Sequence, residues 1–161
     1  MKLKREARLQ KVYDEALSTI LPLTKKELFL AGLFLYWGEG GKTHKGLVSI
    51  SNTDPAVLQF TLCWMQYTLD IPKEKVTVRL HLYEDMVVEE EIRFWRQTLS
   101  LPEKQFAKPY IKKSKRADLD EKGYGHGTCN LIVGNTIIKE KILMSIKAIA
   151  DFYSQRVSLM V

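Results

Sequence analysis

From Thr24 to Gly41 the chain reads Thr-Lys-Lys-Glu-Leu-Phe-Leu-Ala-Gly-Leu-Phe-Leu-Tyr-Trp-Gly-Glu-Gly-Gly. The stretch opens as a helix. Thr24 and Glu27 are spaced as a capping box, each side chain satisfying a free backbone donor of the first turn. Gly40 and Gly41 predict a stop, because glycine takes the left-handed conformation of a helix C-cap. Almost every residue between is apolar, so the predicted helix is buried on most of its circumference. Ala31, Gly32 and Gly38 are small. A glycine inside a helix costs about 1 kcal/mol relative to alanine, so these positions are expected to admit another backbone at close range. Glu39 breaks the pattern. A carboxylate at a helix C-terminus meets the negative end of the dipole, a poor place for a lone anion and a reasonable one for a metal ligand. The plainer reading is a core helix whose glycines serve packing.

Downstream, Gly40 to Gly46 is a glycine- and lysine-rich loop. It follows a helix and lacks the Walker spacing, which excludes a nucleotide P-loop. Leu47–Asn52 alternates as a strand, and Thr53 or Asp54 with Pro55 opens a helix to about Leu69. Lys75–Tyr83 is the clearest strand. Val76, Val78, Leu80 and Leu82 take one face, and Lys75, Thr77, Arg79, His81 and Tyr83 the other, without an acid among them. A helix over about 87–99 buries Val88, Ile92, Trp95 and Leu99, with Glu89, Glu90 and Glu91 favoured by the dipole in its first turn. Residues 105–113 read as an edge strand interrupted by Pro109, with Phe106, Lys108, Tyr110 and Lys112 on one face. A polar loop over 112–127 carries Lys112, Lys113, Lys115 and Arg116, partly balanced by Asp118, Asp120 and Glu121. A strand at 127–134 and a helix to about Tyr153 follow, and 154–161 either extends that helix or serves as an apolar tail that docks on a partner.

Upstream, residues 3–20 read as a basic amphipathic helix with Leu9, Val12, Ala16 and Ile20 on one side, and Leu21-Pro22-Leu23 ends it. Packing on the body, a DNA-backbone arm and a dimer contact all remain open for it. The domain reading is 1–23, a basic N-terminal helix; 24–153, the main domain; and 154–161, the tail. The fold class is α+β: a mixed β-sheet with helices on one face, preceded by the basic N-terminal helix.

At 161 residues the chain is long enough for one domain with its own core. The net charge of +6 favours a polyanionic partner, nucleic acid first and anionic membrane second. The apolar run from Leu28 to Trp37 falls short of the roughly 20 residues that span a bilayer, so no membrane is expected. Cys63 and Cys129 stand alone, giving neither a disulfide framework nor a zinc site. They fit a reducing, cytoplasmic or nucleoid location. His44, His81 and His126 lack metal-site spacing and are expected to face solvent.

Leu30-Ala31-Gly32-Leu33 and the closing Gly38-Glu39-Gly40 resemble the signature helix of the LAGLIDADG homing endonucleases. Val-Ser-Ile-Ser-Asn-Thr-Asp-Pro (48–55), the Arg-Leu-His-Leu-Tyr strand, the later Phe-Trp helix and the glycine-rich turn into a last strand and helix resemble a divergent single-motif branch of that superfamily, over roughly residues 27–153. The spacing from Leu30 to the acid is two residues longer than the usual motif. Aligned on Glu39 and Gly40 instead, Phe34 stands where a small residue is usual. The resemblance implies a homing-endonuclease-like fold whose open sheet face straddles double-stranded DNA. It also implies two motif helices packed together and a motif acid that binds a catalytic divalent ion with an adjacent backbone carbonyl.

One motif per chain then implies a homodimer, with Ala31, Gly32, Leu35 and Gly38 at the contact. Glu39 and the Gly38 carbonyl become the expected ligands of magnesium, with calcium or manganese as substitutes. Lys42, Lys108 and Lys112 are candidates to steady the phosphate, Glu39, Lys42 and Lys112 forming the catalytic set. Arg79 is the best base reader, since it donates a bidentate pair to guanine. The DNA-binding set is Lys75, Thr77, Arg79, His81, Tyr83, Lys108, Lys112, Lys113, Lys115 and Arg116. Three functions compete: a dimeric metal-dependent DNA endonuclease, a non-cleaving DNA-binding regulator on the same scaffold, and an interaction module whose basic surface binds an acidic protein.

Overall fold

The 24–41 stretch folds as read at its start and differently at its end. Helix α2 (Lys25–Glu39) begins with the expected capping box. The Thr24 hydroxyl accepts from Glu27 N at 3.3 Å, and the Glu27 carboxylate accepts from Thr24 N at 2.7 Å. The helix stops without a left-handed residue: Gly40 is extended, at φ −75 and ψ 144. Its amide closes on Tyr36 O at 2.8 Å, and the residue bridges to Ile50 of the first strand. A Cβ at Gly40 would lie 2.5 Å from Tyr36 O, and one at Gly41 would lie 2.4 Å from Ser49 Oγ. Gly41 is required for close approach to that strand and Gly40 for close approach to Tyr36 in the last turn of its own helix, neither for a positive φ.

The structure, a computed structural model, describes residues 2–118 and 125–157. Besides α2 it contains α1 (Lys2–Ile20), α3 (Pro55–Leu69), α4 (Val88–Leu99) and α5 (Thr136–Val157), with strands β1 (Leu47–Asn52), β2 (Thr77–Tyr83), β3 (Tyr110–Lys112) and β4 (Thr128–Gly134). Asp54 caps α3, accepting from Ala56 N at 2.8 Å, with Pro55 in the first turn. Asn135 accepts from Ile138 N at 3.0 Å in the first turn of α5. The sheet order is β1-β4-β2-β3. The first two pairings are antiparallel and β2–β3 is parallel, so the sheet is mixed.

Alternation along the strands decides which face is covered. Val48, Ile50, Val78, Leu80, Leu82, Cys129, Leu131 and Val133 are all buried. They meet Leu33 and Tyr36 of α2, Leu58 and Trp64 of α3, Trp95 of α4 and Ile142 of α5 in one core. The fold is α+β, a mixed sheet with helices on one face and an N-terminal helix before it. Gly32 sets the α2–α3 spacing: a Cβ there would sit 2.1 Å from the indole of Trp64, which is fully buried and donates from Nε1 to Phe29 O at 3.3 Å.

Three expectations change. The strand read over 105–113 shrinks to β3, because Glu103–Gln105 forms a 3-10 turn and Phe106 only bridges to Val78. Phe106 therefore packs on the core and leaves the face it was expected to share with Tyr110 and Lys112. Lys75 ends another 3-10 turn (Lys73–Lys75), ahead of β2. Of the two alternatives for 154–161, extension of the last helix holds as far as Val157, where α5 ends; residues 158–161, like Asp120 and Glu121, lie outside the described residues. Helix α1 has its amphipathic pattern and buries none of its residues.

Candidate functional site

The register places the uncovered side chains in rows. Ser49, Ile132 and Thr77 form one row, and Ser51, Asn130 and Arg79 the next. Thr128, His81 and Tyr110 form a third, and Tyr83 stands opposite Lys112. None of these residues is acidic. Lys112 Nζ lies 4.6 Å from the centre of the Tyr83 ring and 3.5 Å from its hydroxyl. The His81 and Tyr110 rings meet edge-on, their centroids 5.4 Å apart. Partial burial holds the His81 imidazole below the ordinary histidine value, and the Lys112 and Arg79 charges push it further the same way. Thr77, Arg79, His81, Tyr83 and Lys112 thus come together as expected, and Tyr110 joins them.

The remaining basic candidates are dispersed. Lys75 is exposed on its 3-10 turn, and Lys108 is exposed before β3. Lys113 and Lys115 are exposed beyond β3. Arg116 is half-buried, and its backbone N–H and that of Ala117 donate to the Asp85 carboxylate at 2.7 and 3.1 Å. These donors, that of Arg116 first, hold the Asp85 carboxyl below its ordinary value. The basic turn therefore carries its own anion at close range.

At the other margin of the sheet, Glu39 is exposed at the last residue of α2. Among the described residues no side chain pairs with it. Lys42, three residues on, donates to Gly40 O at 3.3 Å. Gly41 N is engaged by Ser49 O at 2.9 Å and Gly40 N by Tyr36 O, so Gly38 O receives no backbone hydrogen bond among the described residues. The expected catalytic grouping of Glu39 with Lys112 does not hold within one chain. The bridge from Gly40 to Ile50 puts β1, β4 and β2 between them, four strand spacings or about 19 Å.

The lysine the fold does bring there is Lys139, on the first turn of α5 and 1% exposed. Its Nζ donates to Tyr36 Oη at 2.6 Å and to Gly41 O, while the Tyr36 hydroxyl donates to Gly41 O at 2.6 Å. No carboxylate lies within ion-pair distance of it among the described residues. Burial holds the Lys139 amine below, and the Tyr36 phenol above, its ordinary value. The sequence carried a signal for this residue. Lys139 leads the buried stripe of α5, at helical spacing from Ile142 and Ile146, where a charge is out of place.

Three further assignments are resolved by contacts. Gly32 cannot serve a dimer contact, because it is filled by Trp64 of its own chain. On the outward side of α2, Ala31 and Leu35 are half-buried and Gly38 has nothing within 4 Å of a would-be Cβ. Phe34 and Trp37 stack there with centroids 6.2 Å apart while 53% and 40% exposed. Glu91 and His126 were read as a dipole partner and a solvent-facing ring. Glu91 holds its expected place in the first turn of α4 and also turns inward to pair with His126 Nδ1 at 2.7 Å, the half-buried imidazole stacking on Phe94 at 3.5 Å.

The donors at the end of α2 match a hard divalent cation in kind: one carboxylate and one unengaged carbonyl. They are too few to hold it alone, and no group of three or more His, Cys, Asp or Glu able to bind a metal occurs among the described residues. No helix among them is long and apolar enough to cross a membrane. Comparison with protein-family models, curated proteins and solved structures finds no match to this chain.

Proposed function

We propose that the chain binds double-stranded DNA along the open face of its sheet, as a homodimer joined through the outward side of α2, and that Glu39 serves hydrolysis of the DNA backbone. The observation that carries the reading is the acid-free face on which Arg79, His81 and Lys112 stand with Tyr83 and Tyr110. Phosphate contacts supply affinity through the cations, and Arg79 can read a base edge. The aromatic rings offer stacking and apolar contact.

Glu39 and Gly38 O would contribute one carboxylate and one carbonyl from each of two chains. A divalent ion bound between them would supply an activated water and charge stabilisation at the leaving oxygen. Within the chain, Lys42 and Lys139 hold the Gly40 and Gly41 carbonyls and leave Glu39 unencumbered. A second reading, a DNA-binding regulator without cleavage, is favoured by one observation: a single chain assembles no metal-holding cluster among its described residues.

Binding of labelled duplex, followed by anisotropy, tests the face. Arg79→Ala should weaken binding to a preferred sequence by about 1–3 kcal/mol. Equal affinity for wild type and the Arg79→Ala, His81→Ala double variant would rule the face out. Incubating the protein with a plasmid library and magnesium then separates nuclease from regulator.

A further inference from the structure

We propose that Arg79, His81 and Lys112 form an anion site on the open face that takes one phosphate group of a nucleic-acid backbone, His81 taking up a proton from solvent as it binds. The proposal rests on the DNA reading above and assigns where one phosphate sits and what its binding does.

The geometry comes from the strands. Arg79 and His81 are alternate residues of β2, so their side chains rise from the same face about 7 Å apart. Lys112 is opposite Tyr83 and Tyr110 is opposite His81, which sets Lys112 diagonally across from the imidazole. The edge-on contact with Tyr110 fixes the imidazole plane, and Lys112 lies along the Tyr83 ring. Two permanent cations and one titratable ring therefore share one patch of the open face with two tyrosines.

What faces His81 from every side decides its protonation. Arg79 and Tyr83 come from β2, Tyr110 and Lys112 from β3, and Thr128 and Asn130, both uncharged, from β4. The helices lie on the other face. Asp85, beyond the end of β2, is bound to the Arg116 and Ala117 amides. The surroundings oppose a third positive charge while no anion is bound, in keeping with the lowered imidazole value. A phosphate oxygen reverses that balance. It accepts from one guanidinium N–H, which leaves the other donors of Arg79 for a base edge, from the ammonium and from the imidazolium N–H, and its charge favours the protonated ring. Free His81 is neutral near pH 7 and bound His81 is charged, so affinity rises as pH falls between the two midpoints and is level outside that window.

The test is duplex binding across about pH 5.5–8 at fixed ionic strength, the interval in which a histidine titrates. Wild-type affinity should increase by up to about tenfold per unit fall in pH within the window. The neutral His81→Gln variant should bind with the wild type's high-pH affinity throughout. Calorimetry in buffers of different ionisation enthalpy should show net proton uptake for wild type and none for His81→Gln. Lys112→Gln should flatten the salt dependence by about one ion.

The His81 imidazole resonance, titrated with inorganic phosphate as the probe, makes the two readings separable. A midpoint that rises with phosphate, without DNA binding, keeps the anion site and removes the DNA reading. DNA binding with the same pH profile in wild type and His81→Gln overturns the proton-coupled site and leaves the DNA reading standing. A midpoint that neither phosphate nor DNA moves overturns the site.

Discussion

Gly32→Ala and Gly38→Ala add the same methyl group to the same helix and should move stability in opposite directions. Alanine gains about 1 kcal/mol over glycine inside a helix. At Gly38 the new Cβ meets nothing within 4 Å, so the isolated chain should gain up to that amount, somewhat less because the position lies in the last turn. At Gly32 the Cβ would lie 2.1 Å from Cδ1 and Nε1 of Trp64 and 2.3 Å from Cδ2. The indole is fully buried and tied to Phe29 O, so it has no free space to swing into. Overpacking of that kind typically costs about 1–3 kcal/mol, occasionally more. A separation this short belongs at the upper end, which exceeds the propensity gain and leaves a net loss of about 1–2 kcal/mol or more. Urea denaturation followed by circular dichroism, with the slope held common, measures both changes. A neutral or stabilising Gly32→Ala would refute the claim that this glycine sets the α2–α3 distance. Sedimentation equilibrium on Gly38→Ala then probes the outward side of α2. A weaker self-association beside a more stable chain is the expected pairing of results, and unchanged association would remove Gly38 from the interface.

Glu39→Gln should leave stability level or raise it by about 0.3–1 kcal/mol, since the carboxylate has no side-chain partner among the described residues and opposes its helix dipole; a destabilised variant would contradict that placement. Duplex affinity should persist in Glu39→Gln while any magnesium-dependent cleavage disappears. Tyr36→Phe should cost about 1–3 kcal/mol, because it withdraws an acceptor from a buried ammonium. Lys139→Met should cost less, since Tyr36 Oη still donates to Gly41 O and the burden of a buried charge is gone; the reverse order in urea titrations would refute the network. The folded state disfavours protonated His81 relative to the unfolded chain, so the unfolded chain binds more protons below about pH 6.5 and stability rises with pH through that window. His81→Gln should lack this rise, and an unchanged pH profile of denaturation midpoints would count against it.

Most of the architecture was legible because it follows from period and punctuation. The alternation of Val76 to Leu82 specified both a strand and its covered face, and Thr24 with Glu27 specified where α2 starts. The sequence was misleading where tertiary contact overrides local chemistry. Gly40 and Gly41 look like a left-handed stop, yet Gly40 is small because the Tyr36 ring and carbonyl lie against it and Gly41 because Ser49 of β1 does. Gly32 looks like a place for another chain's backbone, and Trp64 from α3 occupies it. Phe106 alternates with Tyr110, but the 3-10 turn before it breaks the register and sends it to the core. Glu91 stands in an acidic first turn, and only the fold brings His126 to it. The open face was read correctly because alternation on β2 needs no partner strand. The grouping of Lys112 with Glu39 failed because strand order is not written in local pattern.

That strand order also fixes how far apart the two ends of the proposed interface lie. From Gly40, bridged to Ile50, the row continues through Leu131 to Val78, three strand spacings or about 14 Å. His81 lies three residues further along β2, about 10 Å on, which puts the anion cluster about 17 Å from the end of α2. Successive phosphates of one strand advance about 3.4 Å along a duplex. A duplex strand advancing along that line would therefore place the phosphate beside Glu39 about five positions from the one gripped by Arg79, His81 and Lys112. Phosphate ethylation interference reads this spacing directly. On a preferred duplex, wild type should show interference about five positions from the cleaved or central phosphate, and Lys112→Gln should lose it there and nowhere else. Interference adjacent to the central phosphate would mean that DNA does not run from the cluster to the α2 terminus. Interference that Lys112→Gln leaves intact would mean that other basic side chains hold the backbone at that distance.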